Sequence, residues 1–153
     1  MKDNAPIIDL ALVNTPVLPQ TWTPFPPGGA ECTFLGITRP ETHAQHGPLI
    51  ALDYEAHEVM AREILEQLAK QTLHQWSPLA IRIHHALGPV RVGEASVVIQ
   101  VVCLHRAEAF EACRWLIDEL KTRVPIWKRE TWEAGSSWSK GTSLAAGLDL
   151  GIA

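Results

Sequence analysis

Ala95-Ser96-Val97-Val98-Ile99-Gln100-Val101-Val102-Cys103-Leu104 is the most apolar run in the chain, and His105-Arg106 separates it from a helix-patterned segment over residues 107–124. A β-branched run of this length predicts a central, largely buried strand. In the segment that follows, Phe110, Cys113, Ile117, Leu120 and Val124 recur at spacings of three and four before Pro125 ends the pattern. That spacing predicts an amphipathic helix with this stripe turned to the core. A buried strand running into a helix through a cationic pair is the unit around which the rest is arranged.

Upstream, residues 79–85 read as a strand and Gly88-Pro89 as a turn, while Met60, Ala61, Ile64, Leu65 and Leu68 give a second amphipathic helix within residues 56–75. Residues 32–38 and 49–54 read as two further strands. The polar segment 39–48 between them reads as a long hairpin loop, a place where mobile functional loops sit. Downstream, residues 126–132 can form one more strand, and the Gly/Ser-rich stretch from Gly135 reads as loop and loosely held terminus. The order β, β, α, β, β, α, β predicts an α+β sandwich of antiparallel sheet and helices. Six of the eleven prolines (Pro6, Pro16, Pro19, Pro24, Pro26, Pro27) lie ahead of Gly28-Gly29. They predict an extended arm, packed along the body or partly loose, with at most a short strand near residues 7–13. The expected division is a Pro-rich arm (1–29), a compact domain (30–138) and a short tail (139–153).

The whole chain has 153 residues, 13 Lys plus Arg against 17 Asp plus Glu, and 46% hydrophobic residues. A core is affordable at this length, and a net charge of −4 argues against broad neutralisation of nucleic-acid phosphates. No apolar run approaches the roughly 20 residues that span a bilayer, and residues 1–10 lack the pattern of an export signal. Cys32, Cys103 and Cys113 are odd in number and irregularly spaced, unlike a disulfide framework or zinc knuckle, so a reducing cytoplasm is expected. His84 and His85 must face opposite ways on a strand, and His43-x-x-His46 lacks an evident third ligand, so no metal site is expected.

Within residues 106–129, Arg106, Arg114, Lys121, Arg123, Lys128 and Arg129 face only four acids, a cationic island suited to a small anion. At about 100° per residue, Lys121 lies roughly 20° from Phe110 around the helix, at the edge of the expected buried face. There it either snorkels to water or is a partly desolvated amine able to move protons. In strand 126–132 Trp127 is expected to take the core, leaving Lys128 on the other face, either simply exposed or aimed at a site. Arg39 ends the first strand, and His105-Arg106 lie where a strand meets a helix start, a junction that favours phosphate or carboxylate. Cys103 shares a strand face with His105; the two admit a cysteine hydrolase reading, although burial of the thiol is the simpler expectation.

Gly93-Glu94-Ala95-Ser96-Val97-Val98, His105-Arg106 with Ala109-Phe110-Glu111-Ala112-Cys113, Asp118-Glu119-Leu120-Lys121 and Val124-Pro125-Ile126-Trp127-Lys128-Arg129-Glu130 together resemble the large, catalytic subunit of molybdopterin synthase. Phe34-Leu35-Gly36-Ile37-Thr38-Arg39, Leu52-Asp53-Tyr54-Glu55-Ala56, Met60-Ala61 and Leu87-Gly88 agree with it. The resemblance covers about residues 30–138. It implies an α/β hammerhead fold, a homodimer within a heterotetramer, and a small ubiquitin-like partner whose Gly-Gly tail carries a thiocarboxylate. It also implies sulfur transfer from that tail to cyclic pyranopterin monophosphate, forming the dithiolene of molybdopterin, with no cofactor of its own. Lys121 and Lys128 match the family's active-site lysines, and Arg39, His105 and Arg106 match its substrate-binding residues. His85 stands where the family usually has arginine, and His57 where it often has an aromatic. The alternative function is a docking module that binds the sulfur carrier without chemistry.

Overall fold

The computed structural model describes residues 5–138. The chain runs β1 (Ile7–Val13), β2 (Ala30–Ile37), β3 (Thr42–His43), β4 (Gly47–Ala56), α1 (Glu58–Trp76), β5 (Ala80–Ala86), β6 (Gly88–Arg91), β7 (Ala95–Cys103), α2 (Arg106–Arg123), β8 (Ile126–Trp132) and β9 (Gly135–Trp138). The first sheet has the order β1-β5-β7-β2; in the second, β3, β4, β8 and β9 follow one another and β6 also pairs with β4. Pairing is antiparallel except between β1 and β5. The α+β class with two principal helices is as expected. The expected tail, residues 139–153, lies outside the described residues. No helix among the described residues is long and apolar enough to cross a membrane.

β7 is central and buried along its whole length. Because side chains alternate on a strand, Val97, Ile99, Val101 and Cys103 face one way, with Ile81 and Ile83 of β5 beside them, and meet Ala61, Leu65 and Leu68 of α1 and Ala112, Leu116 and Leu120 of α2. Burying a leucine of this kind contributes about 1.5–3 kcal/mol. Phe110 does not share this surface; it is 65% exposed. The stripe that packs is Ala109, Ala112, Cys113, Leu116, Ile117 and Leu120, rotated from the expected one because the small residues Ala109 and Ala112 let α2 sit close to the sheet. Met60 on α1 likewise points outward, 39% exposed.

On the opposite face of the first sheet lies residue 14–29 chain, with Val17 and Trp22 buried against it. There the sheet buries polar groups. Arg82 donates to Asp9 (2.7 Å), the Gln20 carbonyl (2.8 Å) and Gln100 (3.1 Å), with its guanidinium 4.0 Å from the Trp22 ring centroid. Gln100 in turn donates to Glu31 at 2.7 Å. Of the two dispositions that the prolines leave open for the arm, it takes the packed one, and β1 is an edge strand of the main sheet.

Three further expectations change. β2 and β4 do not form a hairpin: β2 pairs with β7, and the chain between them folds back as β3 onto the start of β4. Gly88, at φ +80°, does turn the chain, but Gly88–Arg91 then pairs with β4 as a strand. The stretch from Gly135 is β9, paired with β8 up to Trp138. In each case an open edge of a neighbouring strand recruits residues whose composition is that of a turn.

Candidate functional site

The five expected site residues fall at two ends of the first sheet. β2 and β7 run antiparallel, with Ala30 opposite Cys103 and Ile37 opposite Ala95. Arg39 therefore leaves the sheet at the Ala95 end of β7, while His105-Arg106 leave it at the Cys103 end. Nine residues of strand separate the two ends by about 27 Å. α2 starts at the Cys103 end, passes Ile99 where Cys113 Sγ lies 3.9 Å from its carbonyl, and finishes toward the Ala95 end. Lys121, in its last turn, thus lies at the end that carries Arg39. Lys128 belongs there too: it pairs with Tyr54, whose ring meets His85 edge-on at 5.1 Å, and His85 pairs with Val97 near the start of β7.

At the Cys103 end, His105 is the N-cap of α2 without a side-chain capping bond, and Arg106 opens the helix. Both are exposed, with Leu104 and Phe110 exposed beside them. At the other end Arg39 is 84% exposed and pairs with Glu41 at 2.9 Å. Lys121 is exposed and Lys128 half-buried. Among the described residues neither lysine has a carboxylate within 4.0 Å.

Lys128 does not lie opposite a buried tryptophan. The inward side chains of β8 are Ile126, Lys128, Glu130 and Trp132, of which Ile126 and Trp132 are buried. Trp127 faces the other way and donates to Glu55 at 3.3 Å, beside Arg129, which donates to Asp53 at 3.1 Å. The acids of β4 hold both, so the indole takes the polar side and the smaller isoleucine the core. Lys128 therefore projects on the inner side of the sheet. Next to it on that face is Glu130, whose carboxylate accepts from Ser137 of β9 at 3.2 Å; Ser137 accepts from the Trp132 indole at 3.1 Å. Glu130 was within reach of sequence reasoning, since it alternates with Lys128. Ser137 was not, because its strand is hidden in a turn-like composition.

His85 is buried and its Nδ1 lies 2.7 Å from the Ala86 carbonyl, which makes Nδ1 the protonated nitrogen. Burial pushes its pKa down to about 4, outweighing that bond. Burial also raises the Tyr54 phenol, against the opposing influence of Ser96. Cys103 is buried and its thiol is pushed up to about 11, first by burial and then by Glu108 and Cys32; Cys113 is raised by burial and by Cys32. A nucleophile needs the thiolate, so the Cys103–His105 hydrolase reading has no support here.

His84 and His85 diverge as strand alternation requires, and His84 is bonded to Asp9 at 2.8 Å. His43 and His46 stack at 4.6 Å between ring centroids, with backbone N–H groups of Gln45 and His46 donating to His43 Nδ1. Among the described residues no three His, Cys, Asp or Glu side chains form a metal-sized group. An open cavity of about 450 Å³ lies on the arm side between Trp22, Phe25, Glu31 and Gln100, and none of the five candidate residues lines it.

A family model described as MoaE protein matches residues 16–123. The molybdopterin synthase catalytic subunit of Nostoc sp. is 41% identical over 110 residues, covering 71% of this chain and 66% of that protein, so this chain spans slightly under two thirds of that relative. Among solved structures, the X-ray crystal structure of molybdopterin synthase from Staphylococcus aureus superposes with a TM-score of 0.75 at 32% identity, covering 84% of this chain and 94% of that one. A protein–protein complex of subunits 1 and 2 of molybdopterin-converting factor from Helicobacter pylori shares the fold, with a TM-score of 0.64 at 24% identity over 75% of this chain and 74% of that one. With the family model matching residues 16–123 and the fold shared with these structures, this chain belongs to the MoaE protein family.

Proposed function

We propose that the protein is a sulfur transferase that converts cyclic pyranopterin monophosphate to molybdopterin, taking sulfur from the C-terminal thiocarboxylate of a small ubiquitin-like partner. The observation that carries this reading is a pair of lysines, Lys121 and Lys128, at one end of the sheet, neither with a carboxylate partner among the described residues. A cytoplasmic setting accompanies it, as does the absence of any cofactor requirement. The raised thiols fit a donor brought in from outside, because neither buried cysteine is suited to carry a persulfide. The Helicobacter pylori complex of two subunits supports a small-subunit partner here.

In this mechanism Arg39, His105 and Arg106 hold the phosphate and the pterin. Lys121 orients the thiocarboxylate and assists proton transfer and ring opening, and Lys128 stabilises the negative charge that develops beside it. The two ends of β7 are about 27 Å apart, too far for one small substrate to reach groups beyond both ends of a single copy. The site is therefore composite: one copy supplies Lys121, Lys128 and Arg39, and a second copy of this chain supplies His105 and Arg106, as a two-fold dimer allows.

The direct test is to mix the purified protein with thiocarboxylated small subunit and cyclic pyranopterin monophosphate and to look for molybdopterin by mass spectrometry. Product that disappears on Lys121→Ala supports the synthase. A stable complex that forms no product would leave the docking module in its place.

A further inference from the structure

We propose that Ser137 is a positioning residue that keeps Glu130 from pairing with Lys128, so that the lysine amine stays available to an incoming anion. Lys128 and Glu130 are two residues apart on β8, and share its inner face. Their Cα atoms are about 6.6 Å apart, a separation that a lysine and a glutamate side chain bridge easily. Both are half-buried between Ile126 and Trp132, where partial desolvation strengthens attraction between opposite charges. Yet they form no ion pair.

The hydrogen-bond directions explain why. An indole N–H can only donate, so the 3.1 Å contact from Trp132 Nε1 to Ser137 Oγ makes the serine oxygen an acceptor. Its own proton is then committed to Glu130 Oε2, 3.2 Å away. Ser137 is the cross-strand partner of Glu130, so the bond pulls the carboxylate toward β9. On the other side of β8, Lys128 sits opposite Tyr54 of β4. The indole, the hydroxyl and the carboxylate thus form a directed chain that leads the negative charge away from the amine. The meaning of an unpaired Lys128 for catalysis rests on the sulfur-transfer reading, but the tether itself does not.

The test is the acylation rate of Lys128 by acetic anhydride at fixed pH in the full-length protein, read by peptide mass spectrometry. An amine paired with a carboxylate is held protonated and reacts slowly. Ser137→Ala should slow Lys128 at least fivefold, and adding Glu130→Gln should restore the wild-type rate; Ser137→Thr, which retains the hydroxyl, should react like wild type. If Ser137→Ala does not fold, Ser137→Cys carries the test, because a thiol is a much weaker donor to the Glu130 carboxylate and the variant should slow Lys128 as well. An unchanged rate in the folded variant, or a double variant that remains slow, overturns the proposal. Because acylation requires neither the small subunit nor the pterin, failure of the tether and failure of the sulfur-transfer reading give separate results. In a working assay, Ser137→Ala should also lower kcat, and the double variant should recover it.

Discussion

The two ends of the first sheet differ in how their charges are held. At the Cys103 end of β7, His105 and Arg106 stand exposed at the start of α2, beside the exposed Leu104 and Phe110. At the Ala95 end, Arg39 and Lys121 are exposed, but Lys128 is half-buried opposite Tyr54, whose ring meets the buried His85, and the acid beside it on its strand face is bonded to Ser137. The first end resembles a surface ready to meet another molecule, and the second sets one sheltered lysine beside two exposed cations. An exposed cation gains little from its neighbours, because water and salt screen it. A half-buried one gains or loses far more, so of the five candidate residues Lys128 is the one whose charge depends most on its surroundings.

The largest effect should come from Lys121→Ala, with sulfur transfer lost by about a thousandfold or more while the small subunit still binds; complex formation by gel filtration beside single-turnover product measures both. Arg106→Ala at the other end should weaken substrate binding by roughly ten- to a hundredfold through KM, leaving kcat closer to wild type. Mixing these two chains, assayed at a substrate level where neither variant alone turns over measurably, should restore about a quarter of the sites, since half of randomly formed dimers would pair them, each with one intact site. No recovery after unfolding and refolding together would place both ends in one chain's site and abolish the comparison.

Acid titration sharpens the contrast. His85 takes its proton near pH 4 when folded and near the ordinary 6.5 when unfolded, so the unfolded chain binds the extra proton between these values. Its contribution therefore lowers stability as pH falls from 6.5 to 4, by a total of about 3 kcal/mol, and is level on either side. His85→Gln should flatten that part of a urea-melt pH series if the variant folds. The smallest effect belongs to Phe110→Ser, expected to change monomer stability by only about 0.5 kcal/mol, whereas Leu116→Ala in the same helix should cost about 2–5 kcal/mol.

What could be read from the chain follows from the range over which each signal acts. β7, β8, α1 and α2 announce themselves by local periodicity, and their observed limits lie within one or two residues of those expected. Phe110 escaped because a spacing of three and four fits two adjacent helical stripes, and only the closeness allowed by Ala109 and Ala112 selects between them. β6 and β9 escaped because Gly-Pro-Val-Arg and Gly-Ser-Ser-Trp form strands only when β4 and β8 offer an edge. Trp127 misled for a related reason: its partner, Glu55, is 72 positions away. Lys121, Lys128, Arg39, His105 and Arg106 stood out in the sequence as motif matches, and their role in the site is the proposal made above. Their division between two ends was not legible, since it depends on the β2–β7 register.

The parallel pairing of β1 with β5 bears on the order in which the molecule assembles. Ile7 aligns with Ala80, so β1 has no partner until α1 and β5 have been made, and its docking closes a loop of about 70 residues at an entropic cost that grows only slowly with length. The hairpin-like contacts of β5 with β7 are far more local and form sooner. Hydrogen exchange should therefore find the amides of residues 7–13 opening before those of β7, as a separate cooperative unit. During synthesis β1 would leave the ribosome well before β5 and yet settle after it.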